Sequence, residues 1–232
     1  MSATNQPIGA AIEWKPARAP SRTPIPGQYV TLEPIDADRH GADLWDAKGD
    51  DPTLWTYLFN DPFGNFGPFR DWLIKCGQPD DPLCFAIVDN ADGKAKGMAS
   101  YMRIVPVHGV IEIGSIWFGP VIQRRRESTD AIYLLARQVF EELGYRRLEW
   151  KCDSLNAPSR RAAKRFGFSY EGVFRQAIVY KNRNRDTAWY GMIDAEWQEI
   201  RAAFDTWLDP SNFDADGNQK IPLAARRDFG TN

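Results

Sequence analysis

The run of residues 111–168 constrains the fold of this chain more than any other part of the sequence. It opens with IEIGSIWF, a segment rich in β-formers that ends at a Gly-Pro pair, which predicts a strand with two largely apolar faces. Apolar residues then recur at helical spacing from Ile132 to Leu143, before Gly144. The segment RLEWKC, residues 147–152, predicts a second strand. Because a strand, a helix and a strand this close together usually form a right-handed parallel crossover, we expect both strands inside one sheet.

The loop before the predicted helix is strongly basic. Residues 123–126 read Gln-Arg-Arg-Arg, and we expect Ser128 or Thr129 to cap the helix that follows. The first amides of a helix point outward with partial positive charge, so a basic loop at this place attracts phosphate groups. For an arginine triplet alone, a solvated loop beside an acidic helix face is an equally good interpretation. The order of the surrounding elements favours the phosphate site.

Several short patterns occur in a fixed order along this run and beyond it. They are Gln123-x-x-Arg126-x-Ser128, Thr129-Asp130-Ala131, Glu142-Leu143-Gly144, Asn156-x-x-Ser159, Gly167-Phe168, and Glu171-Gly172 with Phe174-Arg175. In order and spacing they resemble the GNAT N-acetyltransferase superfamily, and within it the branch typified by ribosomal-protein N-terminal acetyltransferases (RimJ/RimL type). The resemblance covers about residues 28–197. A branch with poorly defined substrates, which has an Arg-Asp-Thr-Ala-Trp run like residues 185–189, looks closer still.

The resemblance implies an α+β fold and a cofactor, acetyl-CoA. The implied fold is a mixed, mostly antiparallel, twisted sheet of six to seven strands, flanked by helices and with a splayed central strand pair. Loop amides would grip the coenzyme A pyrophosphate, the splayed strand would admit pantetheine, and the Asn-x-x-Ser side chains would face the cofactor arm. The residues assigned to cofactor binding on this basis are Trp117, Phe118, Gln123, Arg124, Arg125, Arg126, Glu127, Ser128, Thr129, Asn156 and Ser159.

The sequence departs from the family pattern at two places. Arg126 and Ser128 stand where the family has loop glycines, so the amide cradle is expected to have a different shape, and arginine side chains could compensate by charge-assisted contacts. Ala163 stands where many relatives carry a tyrosine acid. The resemblance therefore supplies no catalytic acid.

Two residues are the candidates for proton transfer. Glu112 lies on the predicted central strand, where apolar surroundings should raise the pKa of its carboxyl and suit it to act as a base, directly or through water. The alternative is a buried ion pair with an arginine such as Arg103 on the neighbouring strand. Ser159 is the remaining candidate to hydrogen-bond the leaving sulfur. Asn156 has two interpretations of equal weight: a helix cap alone, or a cap that also contacts pantetheine.

The rest of the chain completes one domain. Alternation predicts antiparallel strands at 29–35, 83–89 and 96–104, a final hairpin of 170–181 and 187–193 around the polar turn NRNRD, and an amphipathic helix at 196–208. Aromatic residues crowd the segment 52–72, where they either line an acceptor cleft or, more commonly, fill a core beneath a loop. We expect an extended or disordered arm at 1–27, the acetyltransferase domain at 28–208, and a tail at 209–232.

Composition excludes several classes of protein. With 29 basic and 31 acidic residues among 232, the chain has no general affinity for nucleic acid. No apolar run approaches the roughly 20 residues of a membrane span. The start of the chain lacks a signal peptide pattern and three cysteines form no disulfide framework, so a cytoplasmic location is expected. His40 and His108 are not at metal-ligand spacing, and we expect no metal site. Cys152 lies in a predicted buried strand, where inert packing is the better interpretation than nucleophilic catalysis.

The sequence therefore predicts an N-acetyltransferase that moves an acetyl group from acetyl-CoA to a primary amine by direct attack in a ternary complex. The acceptor is a small-molecule amine or a peptide or protein N-terminus, with neither nucleic acid nor membrane as a partner. Two alternatives stay open: a CoA-binding regulatory protein without turnover, and a transferase of a larger acyl group such as succinyl. The identity of the acceptor amine and the formation of a homodimer are left undecided.

Overall fold

The computed structural model describes residues 6–225, and these form one mixed sheet with helices on both faces. The strand order is β1-β2-β3-β4-β5-β6-β8-β7. The strands are β1 (Ile25–Pro26), β2 (Val30–Pro34), β3 (Leu83–Asp89), β4 (Ala95–Val105), β5 (Val110–Phe118), β6 (Arg147–Asp153), β7 (Ser169–Tyr180) and β8 (Arg183–Ile193). The α-helices are α1 (Ala37–Ala47), α2 (Phe66–Cys76), α3 (Arg126–Arg137), α4 (Ala157–Arg165) and α5 (Asp194–Leu208). The predicted α+β class is confirmed, and β1 is the strand beyond the predicted six to seven.

The pair β5 and β6 is the parallel pair of this otherwise antiparallel sheet. Their pairing runs from Val110 opposite Arg147 to Ile113 opposite Trp150 and ends there, although both strands continue. A bulge follows in β5, where Ser115 has a φ of 50° and the register with β4 shifts. The two strands therefore separate beyond this point, as the predicted splayed pair requires.

Each face of the sheet has its own apolar cluster. The larger cluster lies under α3, α4 and α5, and includes Tyr101, Ile113, Leu148 and Phe204. The smaller one lies under α1 and α2, and includes Leu44, Phe69 and Trp117. We call these the α3 face and the α1 face. Burial of each such side chain contributes about 1.5–3 kcal/mol to the stability of the fold, so both clusters stabilise the sheet.

The helical elements before β3 begin in different ways. Asp36 caps α1 by accepting hydrogen bonds from two backbone amides, and Asp51 caps a 3-10 turn at Pro52–Trp55. The helix α2 was missed. Its cap position, Asn65, makes no side-chain capping bond, and a glycine and a proline occupy its first turn. Proline is tolerated there, but the Gly-Pro pair resembles a loop when only the sequence is considered.

The hairpin of β7 and β8 turns more tightly than the sequence predicted. The expected turn NRNRD is wrong, because the strands close over only Lys181 and Asn182. Both residues have positive φ, at 48° and 56°, which is the backbone of a two-residue hairpin turn. Pairing therefore extends through Arg185, which lies opposite Ile178.

Segments near both ends of the described chain pack on the domain. Trp14 donates a hydrogen bond from Nε1 to the carbonyl of Val107 at 2.8 Å. Beyond α5, Phe213 and Leu223 are buried in the α3-face cluster, and the ring of Phe213 meets that of Tyr29 edge-on at 6.1 Å. The predicted boundaries at 27/28 and 208/209 stay predictions. Of the helices between residues 6 and 225, none is both long and apolar enough to cross a bilayer.

Candidate active site

The start of α3 lies beside the open end of the splay and is uncapped. Arg125, at its N-cap position, makes no side-chain capping bond, and the first backbone bond of the helix runs from Thr129 N to Arg125 O at 3.4 Å. The predicted capping by Ser128 or Thr129 is wrong, because both hydroxyls donate back to the Arg125 carbonyl, at 2.9 and 3.4 Å. The amides of residues 126–128 are therefore left for an external acceptor.

The loop side chains divide into engaged and free groups. Arg126 is partly buried: its guanidinium lies 4.5 Å from the ring centroid of Tyr29 and its Nε bonds Glu127 at 3.1 Å. Arg125 donates from Nη1 to the carbonyl of Asp216 at 3.3 Å. Gln123 folds back and donates to the carbonyl of Phe118 at 2.9 Å. Arg124 is exposed, with a φ of 62° that turns the backbone into the helix.

A second wall of the splay comes from the start of α4. Asn156 accepts the backbone N–H of Ser159 with Oδ1 at 3.1 Å, so the predicted cap is confirmed. Trp150, the last β6 residue paired with β5, donates from Nε1 to Ser159 Oγ at 3.0 Å. The serine oxygen accepts this bond, and its O–H remains a donor with the Cys152 thiol as a neighbour. These groups all lie on the α3 face.

Glu112 lies on the opposite, α1 face and is held by cations. Its Oε2 is 2.8 Å from Lys151 Nζ and 3.5 Å from Arg103 Nε. The Arg103 pair of the alternative interpretation is present, but Lys151 is the nearer partner. Oε1 lies beside Gly114, 3.4 Å from the position that a Cβ would take on that residue. Burial raises the pKa of the Glu112 carboxyl, and the attraction and hydrogen bond of Lys151 offset this only in part.

Lys151 is shared between two carboxylates. Its side chain is 4% exposed, and Nζ lies 2.6 Å from Glu149 Oε2 in addition to its contact with Glu112. Arg147 holds the other oxygen of Glu149 at 2.8 Å. Burial opposes ionisation of Glu149, but the hydrogen bonds from Lys151 and Arg147 outweigh it, so the pKa of this carboxyl is lowered. The two neighbouring carboxyls are thus shifted in opposite directions.

The aromatic residues of segment 52–72 form mainly a core. Trp55 contacts Phe63 at 5.2 Å and Trp72 at 5.9 Å between ring centroids, and it lies 6.2 Å from Trp117. Trp117 is 3% exposed within this α1-face cluster. Of the two strand-end residues assigned to cofactor binding, Phe118 packs instead against the α3-face cluster. Phe59 differs from the others, because it is 58% exposed.

A model of the family described as acetyltransferase (GNAT) domain matches residues 30–169. The chain belongs to the GNAT acetyltransferase family. A solved GCN5-related N-acetyltransferase from Brucella melitensis is 48% identical, with a TM-score of 0.88 over 90% of this chain and 96% of that chain. A probable GNAT-family acetyltransferase from Chromobacterium violaceum is 40% identical, with a TM-score of 0.77 over 84% of this chain and 100% of that chain.

A more distant structure shares the fold of this GNAT acetyltransferase. The microcin C7 self-immunity acetyltransferase MccE, solved in complex with acetyl-CoA and AMP, is 22% identical, with a TM-score of 0.62 over 71% of this chain and 92% of that chain. No match was found among the curated proteins.

The sequence analysis of this GNAT acetyltransferase did not predict Lys151 and Glu149 as neighbours of Glu112. The signal was available: Arg147, Glu149 and Lys151 alternate along β6 and must share one face. Cys152 has the opposite orientation, and burial raises the pKa of its thiol, which disfavours a nucleophilic thiolate. Across residues 6–225, no three His, Cys, Asp or Glu side chains come together as a metal-binding group.

Proposed function

We propose that this chain transfers an acetyl group from acetyl-CoA to a primary amine by direct attack in a ternary complex. The observation that carries the proposal is the separation of β5 and β6 after Ile113 and Trp150, with the uncapped start of α3 beside the open end. A thioester in the gap would have an anion site on one side of the sheet and Glu112 on the other.

The cofactor half of the site lies on the α3 face. The amides of residues 126–128 suit a pyrophosphate, because they converge at a helix start that no side chain caps. Arg124 is exposed, whereas Arg125 and Arg126 already have partners, so Arg124 is the arginine best suited to meet a phosphate directly. Asn156 and Ser159 would lie along the pantetheine arm.

The acceptor half lies on the α1 face, since the cofactor elements occupy the other. An acceptor ammonium must lose a proton before its nitrogen attacks the acetyl carbon. Glu112 Oε1 would take that proton, directly or through water, while Lys151 holds Oε2. The new C–N bond forms as the C–S bond breaks, and the Ser159 hydroxyl hydrogen-bonds the departing thiolate until it is reprotonated from solvent.

The experiment combines turnover with binding. The protein is assayed with acetyl-CoA and a panel of small amines and N-terminal peptides, and its affinity for CoA is measured by calorimetry. We expect amine-dependent release of CoA together with N-acetylated product. CoA binding with no turnover of any amine would instead identify a regulatory protein. Preference for succinyl-CoA over acetyl-CoA in the same assay would assign a larger acyl group.

The RimJ/RimL-type branch is a narrower form of the same proposal. It makes the acceptor a protein N-terminus, so peptides that carry ribosomal-protein N-termini belong in the panel. Acetylation of those peptides with a kcat/KM well above that of small amines would support it. A preference for small amines would place the chain outside that activity.

A further inference from the structure

Three residues of β8 place buried, unpartnered donors on one side of the strand. Arg185, Thr187 and Trp189 alternate with Asp186 and Ala188, so their side chains share a face. In the part of the chain that the structure describes, Arg185 Nε, Thr187 Oγ1 and Trp189 Nε1 are buried and have no hydrogen-bond partner. Buried donors are normally satisfied, so three along five residues indicate a missing acceptor.

Arg185 is also a buried cation that makes no direct ion pair with a described residue. The residue is 7% exposed and forms no ion pair within residues 6–225. Its guanidinium lies 5.4 Å from the ring centroid of Phe59 and 5.6 Å from that of Tyr180. The buried carboxylate of this region, Asp153, is occupied: Leu155 N donates to Oδ1 and the Tyr180 hydroxyl to Oδ2, each at 2.8 Å. The guanidinium is therefore available to a carboxylate from outside the chain.

This row of donors lies beside the splay, on the same face as Glu112. Trp189 is opposite Lys151 and Thr187 is opposite Asp153, and both β6 residues follow the last β5–β6 pair. Lys151 Nζ lies 3.9 Å from the ring centroid of Trp189 while it bonds Glu112. The donors therefore point to the acceptor side of the sheet, away from α3 and α4.

The segment that follows the 3-10 turn covers the far end of the row. Lys181 Nζ donates to the carbonyl of Trp55 at 2.7 Å, and the Tyr57 hydroxyl donates to the carbonyl of Leu155 at 3.2 Å. These bonds hold Phe59 over Arg185. The result is a site between the hairpin and this segment that is lined by rings and donors.

We propose that Arg185, with Thr187 beside it, binds a carboxylate of the acceptor, so that the substrate is an amine that also carries a carboxylate. The inference rests on the proposed function and specifies its acceptor. Thr187 is level with Asp153, three residues beyond the last β5–β6 pair, and Arg185 lies two residues further along β8. Strands lie about 5 Å apart and rise about 3.3 Å per residue, so the carboxylate would sit on the order of 10–15 Å from the amine at the splay. An extended peptide spans this distance with about three to five residues.

A carboxylate matches the charge of the site better than a phosphate. One guanidinium supplies a single positive charge in a planar fork that fits two carboxylate oxygens. A phosphate dianion would need a second cation. Lys181, on the hairpin turn, is already held by the Trp55 carbonyl and by Asp61 at 3.4 Å.

The test uses pairs of acceptors that differ only in a terminal carboxylate or carboxamide, such as tri- to pentapeptides, with acetyl-CoA as donor. We expect wild-type kcat/KM to favour the carboxylate form by about 10- to 100-fold. Arg185→Gln should reduce this preference to below about threefold and leave the Kd for CoA unchanged. Arg183→Gln is the matched control, because it removes an exposed arginine from the same strand and should keep the preference.

Other outcomes separate the inference from the proposed function. Equal turnover of both forms by the wild type overturns the carboxylate site while the acetyltransferase stands. A stronger preference for phosphorylated peptides overturns the choice of carboxylate. If Arg185→Gln fails to fold, Thr187→Val removes one donor at constant charge, and an unchanged preference in that variant overturns the proposal. If no amine turns over, the same peptide pairs are titrated into the CoA-loaded protein, and equal or undetectable affinity overturns it.

Discussion

The substitution Glu112→Gln separates catalysis from structure at the splay. A general base contributes about 100-fold or more to turnover, equivalent to about 2.7 kcal/mol of activation free energy. The introduced amide would keep the shape of the side chain and could still accept from Lys151, which keeps its contact with Glu149 at 2.6 Å. Because the pKa of Glu112 is raised in the fold, neutralising this group is not expected to reduce stability. We therefore expect about a 100-fold loss of kcat with the melting temperature within about 2 °C.

Glu149→Gln is the matched control, because it removes a carboxylate from the same lysine. The pKa of Glu149 is lowered, so its ionised form stabilises the fold at neutral pH, and this contribution disappears as the pH falls through the folded-state pKa. The variant should lose about 1–3 kcal/mol of stability at neutral pH, which lowers the melting temperature by roughly 2–10 °C. It should keep most of its kcat.

The pH dependence gives an independent measurement. Only ionised Glu112 can act as a base, so wild-type kcat should fall as the pH drops through a pKa above the ordinary glutamate value. The Glu112→Gln variant should lack this acidic limb. The assignment is wrong if the limb persists in that variant, or if Glu149→Gln loses as much turnover as Glu112→Gln. Unfolding of Glu112→Gln would assign the residue to structure.

Three further substitutions test the cofactor site and the segment after α5. In calorimetry, Arg124→Ala should weaken CoA binding by about 10- to 100-fold and barely affect the binding of a dephosphorylated pantetheine analogue. The control Lys75→Ala, which removes an exposed charge on α2, should change neither affinity. Equal losses for both ligands in Arg124→Ala would contradict the phosphate contact. Asn156→Asp should preserve the cap and the melting temperature but lower CoA affinity, whereas unchanged affinity and turnover would leave capping as its sole role. Phe213→Ala should cost about 3–5 kcal/mol in denaturant unfolding, since the ring is buried between Tyr29 and Trp207, and a loss below about 1 kcal/mol would show that this segment is not part of the core.

The strand–helix–strand unit was predictable because its signals are local. Periodicity distinguishes β5 from α3, and Asn156 caps α4 within its own segment. The partner of Glu112 was harder to predict, since it depends on the register of strands distant in sequence. Arg103 was expected, but it sits at a bulge with a φ of 50°, and Met102 takes the place opposite Glu112. The cation at hydrogen-bonding distance instead comes from β6.

The donor row of β8 was equally inaccessible from the sequence. An Arg-x-Thr-x-Trp alternation predicts a shared face, but it does not say whether the polar atoms find partners. That depends on Asp153, which could have neutralised Arg185 and is instead occupied by Tyr180 and Leu155. Whether Arg185 finds a carboxylate therefore depends on contacts between side chains from three separate segments.

The alternation of β6 would let one short strand serve both substrates of the proposed reaction. Trp150 points to the α3 face and bonds Ser159, whereas the next residue, Lys151, points to the α1 face and bonds Glu112. Successive side chains of a strand project to opposite faces, so the proposed cofactor side and the proposed acceptor side are separated by a single residue step. A slip of one residue in the pairing with β5 would exchange these two side chains and disrupt both halves of the site. The four consecutive β5–β6 pairs before the splay therefore fix the chemistry as well as the fold.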